Sequence, residues 1–328
     1  MAKIKYTPTE YRNMLRMSHS KFLLVEGKND RRFFQFLLNE LFSRTHQDIP
    51  RESINIDCAE DLIKVENSYS NRQKVELICS SVQNTALAVK LIGFVDREFR
   101  EFDMNDVPRD KLTSHNVKDG VVWSRGHSIE NYYFDFYTLR DPLRENSDID
   151  HFDQALDLFG KLLNSTLCVA CSISLAAKEL GKLKQIRKSI NWKVVEITSS
   201  EVKLKLDDFK QELIRFHRFT EGESKRFIES INEWSKRVDK ADITCIRWMC
   251  DGHIGFSFMW SVYGQCVLKT CEHIGIERPE AEVQKVLGAN DDTRHRACNN
   301  CFVRRALDNL TEYPLEVVNF LGLSVPPA

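Results

Sequence analysis

Along roughly the first 140 residues, apolar runs of strand length alternate with stretches of helical spacing. Lys21–Val25 is a short apolar run fit for a buried strand, and Glu26-Gly27 follows it directly. Asn29 or Asp30 can cap a helix that buries Phe33, Phe34, Leu37, Leu38, Leu41 and Phe42. A weaker strand is expected at Ser53–Asp57 and a helix from about Arg72 to Val82. The strongest strand signal is Leu87–Val95, ending at Asp96. A further strand at Val121–Ser124 leads into His127–Tyr133. Strands separated by helices predict an α/β fold with a mainly parallel sheet and helices on both faces.

Beyond about residue 150 the pattern turns mostly helical. Phe152–Leu163, Leu167–Lys188, Leu206–Phe219, Lys225–Val238, Ile254–Glu272, Glu280–Leu287 and Arg296–Leu310 all have helix-like apolar spacing. The β-branched stretch within Trp192–Leu206 fits a short hairpin. Asp141-Pro142 and the polar run Arg144–Asp150 break the pattern. They divide the chain into an α/β domain, 1–147, and a mostly helical region, 148–328, for dimer, partner or substrate contacts.

With 42% hydrophobic and 29% charged residues in 328, the composition is that of a globular protein with a sizeable core. No run of eighteen apolar residues occurs, and the nearest, Ile254–Leu268, is broken by Ser257, Ser261 and Gln265. The first twenty residues lack the apolar core of a signal peptide, so a cytoplasmic protein without a membrane partner is expected. Ten cysteines are then expected to be mostly reduced. Cys168/Cys171 and Cys298/Cys301 form two C-x-x-C pairs, the second near His295. The first pair lies in an Ala/Ile/Leu-rich run, which favours packed thiols over a structural zinc. A net charge of −1 gives no global sign of a nucleic-acid binder. Two basic runs remain: Lys178, Lys182, Lys184, Arg187, Lys188 and Lys193, then Arg294, Arg296, Arg304 and Arg305. The second interleaves His295 and Asn299/Asn300 and is the better phosphate-contact candidate.

In parallel α/β sheets, binding sites lie just beyond the carboxyl ends of the strands. Three acidic positions fall there: Glu26, Asp96 with Glu98, and Glu130. Carboxylates gathered closely stay ionised only with compensating cations. Mg²⁺, or Mn²⁺, suits hard oxygen donors and in-line attack at phosphorus. The competing reading makes Asp96 and Asp30 helix caps and Glu98 a surface charge. It fits Glu26 less well, because an acid directly after an apolar strand gains little from packing.

Together these residues resemble a known family. Leu24-Val-Glu26-Gly27-Lys-Asn-Asp30 is similar to the glutamate motif of toprim domains, and Gly93-Phe-Val-Asp96-Arg-Glu98 to their Asp-x-Asp motif about 70 residues later. Gly126-His127-Ser-Ile-Glu130-Asn131-Tyr132-Tyr133 resembles the hallmark of a bacterial branch that fuses a toprim nuclease to a helical C-terminal region. The nuclease effectors of the PARIS anti-phage system belong to that branch. The motifs cover residues 24–133; the remainder matches in length, order and the segment Asp251-Gly252-His253.

The resemblance implies a toprim-like fold and a metal-dependent endoribonuclease. It also implies a toxin effector that dimerises and cleaves host tRNA once released by a partner ABC-type ATPase (AriA). By residue it implies Glu26 as metal ligand and general acid/base, Asp96 as the main ligand, Glu98 as an auxiliary one and Glu130 as a third. Glu98 departs from the second aspartate of the motif. Lys28, Asp30, Arg125, His127, Arg294 and Arg304 are the substrate-contact candidates, with Asp30 also able to shape its loop. The chain contains no G-x-x-x-x-G-K-[ST] loop, so nucleotide hydrolysis would come from the partner. Two other readings stay open: a DNA endonuclease using the same acids, and a non-catalytic subunit that regulates an ATPase.

Overall fold

Thirteen residues after the first described helix begins, the apolar run Lys21–Val25 forms the strand around which the sheet is built. The structure, a computed structural model, describes residues 6–62, 70–145, 152–308 and 311–326. In chain order the elements are α1 (Pro8–Met17), β1 (Lys21–Val25), α2 (Lys28–Arg44), β2 (Ile54–Cys58), α3 (Asn71–Ser80), β3 (Leu91–Val95), β4 (Phe102–Asp103), β5 (Arg109–Asp110), β6 (Asn116–Lys118) and β7 (Val121–Trp123). Then come α4 (Phe136–Glu145), α5 (Phe152–Glu179), α6 (Leu183–Ile186), β8 (Val195–Ile197), β9 (Val202–Leu204), α7 (Leu206–His217) and α8 (Glu221–Val238). The last are α9 (Ile243–Met249), α10 (Gly252–His273), α11 (Pro279–Leu287), α12 (Asp291–Leu307) and α13 (Leu315–Leu321).

The chain divides into two compact units. One comprises Met1–Arg97, Leu112–Ile129 and Phe302–Ala328; the other comprises Glu98–Lys111 and Glu130–Cys301. The boundary expected at 147/148 lies outside the described residues. The unit borders fall elsewhere, and the last one cuts α12.

The first unit holds a five-stranded sheet in the order β2-β1-β3-β7-β6. β2, β1, β3 and β7 run parallel, and only β6 is antiparallel. The mixed α/β fold with a mostly parallel sheet is therefore as the alternation requires; the antiparallel edge strand was not expected. β1 is buried along Phe22–Val25, and all five residues of β3 are buried, as central parallel strands must be. The sheet packs on a core that includes Tyr11, Leu15, Val75, Ile78, Cys79 and Val82. Gly93 allows the close approach of α3, since a Cβ there would lie 2.7 Å from Val75 Cγ1 and 2.8 Å from Cys79 Sγ.

Two local expectations change. The strand expected at Leu87–Val95 begins only at Leu91, because turns fill the preceding residues and the Lys90 Nζ ties that corner to the carbonyls of Leu15 and Ser18. The cap of α2 is Gly27 rather than Asn29 or Asp30. Asp30 sits three residues into the helix and its carboxylate accepts the Gly27 N–H at 2.9 Å.

The second unit is helical around α5, which packs against α8, α9 and α10. The two helices expected at Phe152–Leu163 and Leu167–Lys188 are one continuous 28-residue α5, followed by a short α6. No proline or glycine stands between Leu163 and Leu167 to break it. α10 is apolar nearly all round and buried accordingly. The expected hairpin is present as β8–β9. Among the described residues α5 alone is long and apolar enough to cross a membrane by length and composition, and 61% of that window is buried inside the protein.

Candidate functional site

In the first unit, the sheet register decides where the motif acids go. Val25 of β1 pairs with Phe94 of β3, so Glu26 and Val95 leave the sheet side by side. Glu26 is half-buried and its Oε1 accepts the backbone N–H of Asp96 at 2.8 Å. The Glu26 carboxylate thus reaches the backbone of Asp96, and two motif acids 70 positions apart in sequence stand beside each other at one sheet edge. The Glu26 carbonyl accepts the Glu60 N–H at 3.3 Å, which brings the end of β2 to the same edge. Lys28 is exposed and pairs with Glu60 at 3.2 Å.

The loop after β7 completes that edge. The Ser124 N–H donates to the Val95 carbonyl at 2.9 Å, and the Ser124 Oγ accepts the Arg97 N–H at 2.9 Å. Arg97 is fully buried, and its guanidinium donates to the Arg125 carbonyl at 2.9 Å. Between the two motif acids Asp96 and Glu98, the chain thus places an arginine that locks the neighbouring loop. The sequence offered only the residue between two acids as a signal, and Arg97 was not singled out. Arg125 and His127 are both buried, and Arg125 Nε lies 3.5 Å from Glu312 Oε1.

Glu98 and Glu130 belong to the second unit. Glu98 is exposed with φ at 54°, a left-handed conformation that is uncommon for a side chain of its size. Glu130 lies in a short 3-10 turn, Ile129–Tyr133, and is buried. His253 Nε2 stands 3.8 Å from its Oε1. His295 stacks on Phe256 at 4.1 Å, and burial holds its imidazole below the usual histidine range, opposed by the attraction of Glu130. The adjacent Asn131 fixes the turn by donating to the carbonyls of Arg247 and Cys250. Asp251 caps α10 and forms a two-point pair with Arg187, at 3.2 and 2.6 Å.

Several basic candidates turn out to be engaged within the second unit. Lys182 pairs with Glu223 at 2.9 Å, Lys178 lies over the Phe99 ring, and Arg187 holds Asp251. Arg294 lies over Trp260 and donates to the Leu287 carbonyl. Arg304, on α12 in the first unit, is exposed. Cys168 and Cys171 sit on α5; burial pushes the Cys168 thiol up to about 11 and Cys171 well above its usual range. Among the described residues, no three His, Cys, Asp or Glu side chains converge closely enough to form a ready-made metal cage.

The structure thus brings Glu26 and Asp96 together, with Asp30, Arg125 and His127 in the same unit. The chain matches no protein-family model, and none of the curated proteins it was compared with matches it.

Proposed function

We propose that this chain is a divalent-metal-dependent toprim nuclease, an effector resembling AriB of the PARIS anti-phage system. In this reading it is cytoplasmic, is activated by an ABC-type ATPase of the AriA kind, acts as a homodimer and cuts host tRNA. The observation that carries the reading is the 2.8 Å hydrogen bond from the Asp96 amide to the Glu26 carboxylate at the end of two parallel strands. A carboxylate fixed in that way keeps its second oxygen oriented. The half-buried Asp96 adds further hard donors beside it, a donor set suited to Mg²⁺ or Mn²⁺.

Glu26 and Asp96 would hold the ion, which when bound supplies charge stabilisation for water attack on a phosphodiester. The chain's own residues set the frame. Arg97 and Ser124 lock the loop after β7 against the end of β3, so the edge presents its acids on a rigid support. Asp30 closes the turn that carries Glu26 by accepting the Gly27 N–H.

The test is to incubate purified protein with tRNA and with plasmid DNA, with and without Mg²⁺ or Mn²⁺. Cutting of tRNA is expected, and its loss in EDTA and in Glu26→Gln. Glutamine can still accept the Asp96 N–H, so this variant removes charge while keeping the local fold. Cutting of plasmid instead would make the protein a DNA endonuclease. Full activity in Glu26→Gln would sink the assignment.

A further inference from the structure

Arg125 follows the β7 residues that pair with β3, and its own carbonyl holds Arg97, so it stands at the same sheet edge as Asp96 within the first unit. Its guanidinium does not face an isolated acid. Arg125 Nε lies 3.5 Å from Glu312 Oε1, and His115 Nδ1 lies 3.7 Å from the same oxygen and 3.4 Å from Glu316 Oε2. One guanidinium and one imidazole from the sheet side thus converge on two carboxylates that precede and open α13. Arg125 and His115 are almost wholly covered, whereas the side chains of Glu312 and Glu316 are 38% and 34% exposed.

These three distances contrast with the pair that serves only to hold the fold elsewhere. Arg187 grips the fully buried Asp251 through two nitrogens, at 3.2 and 2.6 Å. Glu312 stands 3.5 Å from Arg125 and Glu316 3.4 Å from His115, on side chains that water reaches. α13 itself is anchored independently, through buried Val317, Val318 and Leu321 and through the Lys21 Nζ bound to the Phe320 carbonyl. Rotation of two glutamate side chains would therefore uncover the guanidinium and the imidazole N–H without moving the helix. A phosphodiester offers the chemistry that the carboxylates now supply: oxygens sharing a negative charge, matched to a guanidinium fork and a neighbouring N–H donor.

We infer that Arg125 and His115 form a phosphate subsite which Glu312 and Glu316 occupy as internal stand-ins, so that an RNA phosphate must displace them to bind. This deepens the nuclease reading, since it names how the same sheet edge would hold its substrate backbone. Its test does not require cleavage.

Binding of a short fluorescein-labelled RNA is followed by fluorescence anisotropy in EDTA, for the parent chain and for Glu312→Gln/Glu316→Gln. The double variant is expected to bind about tenfold more tightly, the scale of one charge-assisted contact. Inorganic phosphate should compete away the gain, and adding Arg125→Gln should abolish it. Glu312→Asp, which draws the carboxylate back by one methylene and disturbs the fold least, should give an intermediate gain. Parent-like affinity in both glutamate variants overturns the inference, as does a gain that survives Arg125→Gln or resists phosphate. Loss of cleavage in Glu26→Gln with the binding gain intact would separate the two claims. Loss of cleavage in Glu26→Gln with no binding gain in the glutamate variants would leave the nuclease standing and this subsite refuted.

Discussion

His115 is buried beside a guanidinium, and burial first, then the charge of Arg125, pushes its imidazole down to about 3 from an ordinary 6.5. The unfolded chain takes up a proton that the folded chain refuses. Stability therefore falls as pH drops from 6.5 towards 3, and the effect vanishes above 6.5. Arg125, Glu312 and Glu316 face the ring, so the cleanest window is above pH 5, where free carboxylates remain ionised. Replacing His115 by Asn should reduce the acid sensitivity of unfolding there by up to about 1 kcal/mol per pH unit. Urea melts at a series of pH values read this directly; parallel curves for parent and variant would contradict it. No residue pattern near His115 announced this environment. Its carboxylate partners lie about 200 positions away, and only folding brings them together.

At the scale of elements, the start of α10 depends on one buried acid. Asp251 accepts the Ile254 N–H at 3.0 Å and holds Arg187 at two points. Asp251→Ala removes the cap and strands a guanidinium, and is expected to cost about 3–5 kcal/mol. Asp251→Asn keeps an acceptor for the cap and should cost less, so comparison of their denaturation midpoints separates cap from charge. Equal midpoints for Asp251→Ala and the parent would refute the role. Asp-Gly-His reads from the sequence as a turn before an apolar helix at Ile254, whereas the helix already begins at Gly252 with Asp251 as its cap. The arginine that pairs with Asp251 was not legible, since Arg187 looked like one more member of a basic run. The same limit explains β3 and α5. Apolar content at Leu87–Lys90 extends a strand signal into residues that turn, and polar Asn164 and Ser165 suggest a break in a helix that continues through them.

For the whole chain, the last residues are not an appendix to the helical region. Phe302 stacks on Phe33 with ring centroids 5.5 Å apart, and α13 packs against β1 and β3 of the first unit. A reading that follows chain order assigns everything after residue 148 to one region, because hydrophobic spacing names an element but not its partner. Deleting Leu315–Ala328 removes Val317, Val318, Leu321 and Leu323, each buried in the first unit, and uncovers the apolar surface they cover. At about 1.5–3 kcal/mol per side chain as an upper range, the loss should rival the stability of the whole unit. The truncated chain is expected to melt well below the parent or to aggregate; an unchanged melting temperature would show that the segment is dispensable. The acidic edge, by contrast, was legible in outline, because strand ends in a parallel sheet converge whatever the loops between them do. What the residues could not reveal is how that edge is braced: Arg97 beneath it and Glu312 against Arg125.

The central claim is that Glu26 and Asp96 share a divalent ion, and Mn²⁺ binding tests it most directly. Titration of the parent, Glu26→Gln and Asp96→Asn, with free Mn²⁺ read by electron paramagnetic resonance, should show each substitution weakening affinity by at least about tenfold. Identical Mn²⁺ affinity in all three proteins, or none in the parent, would contradict the account.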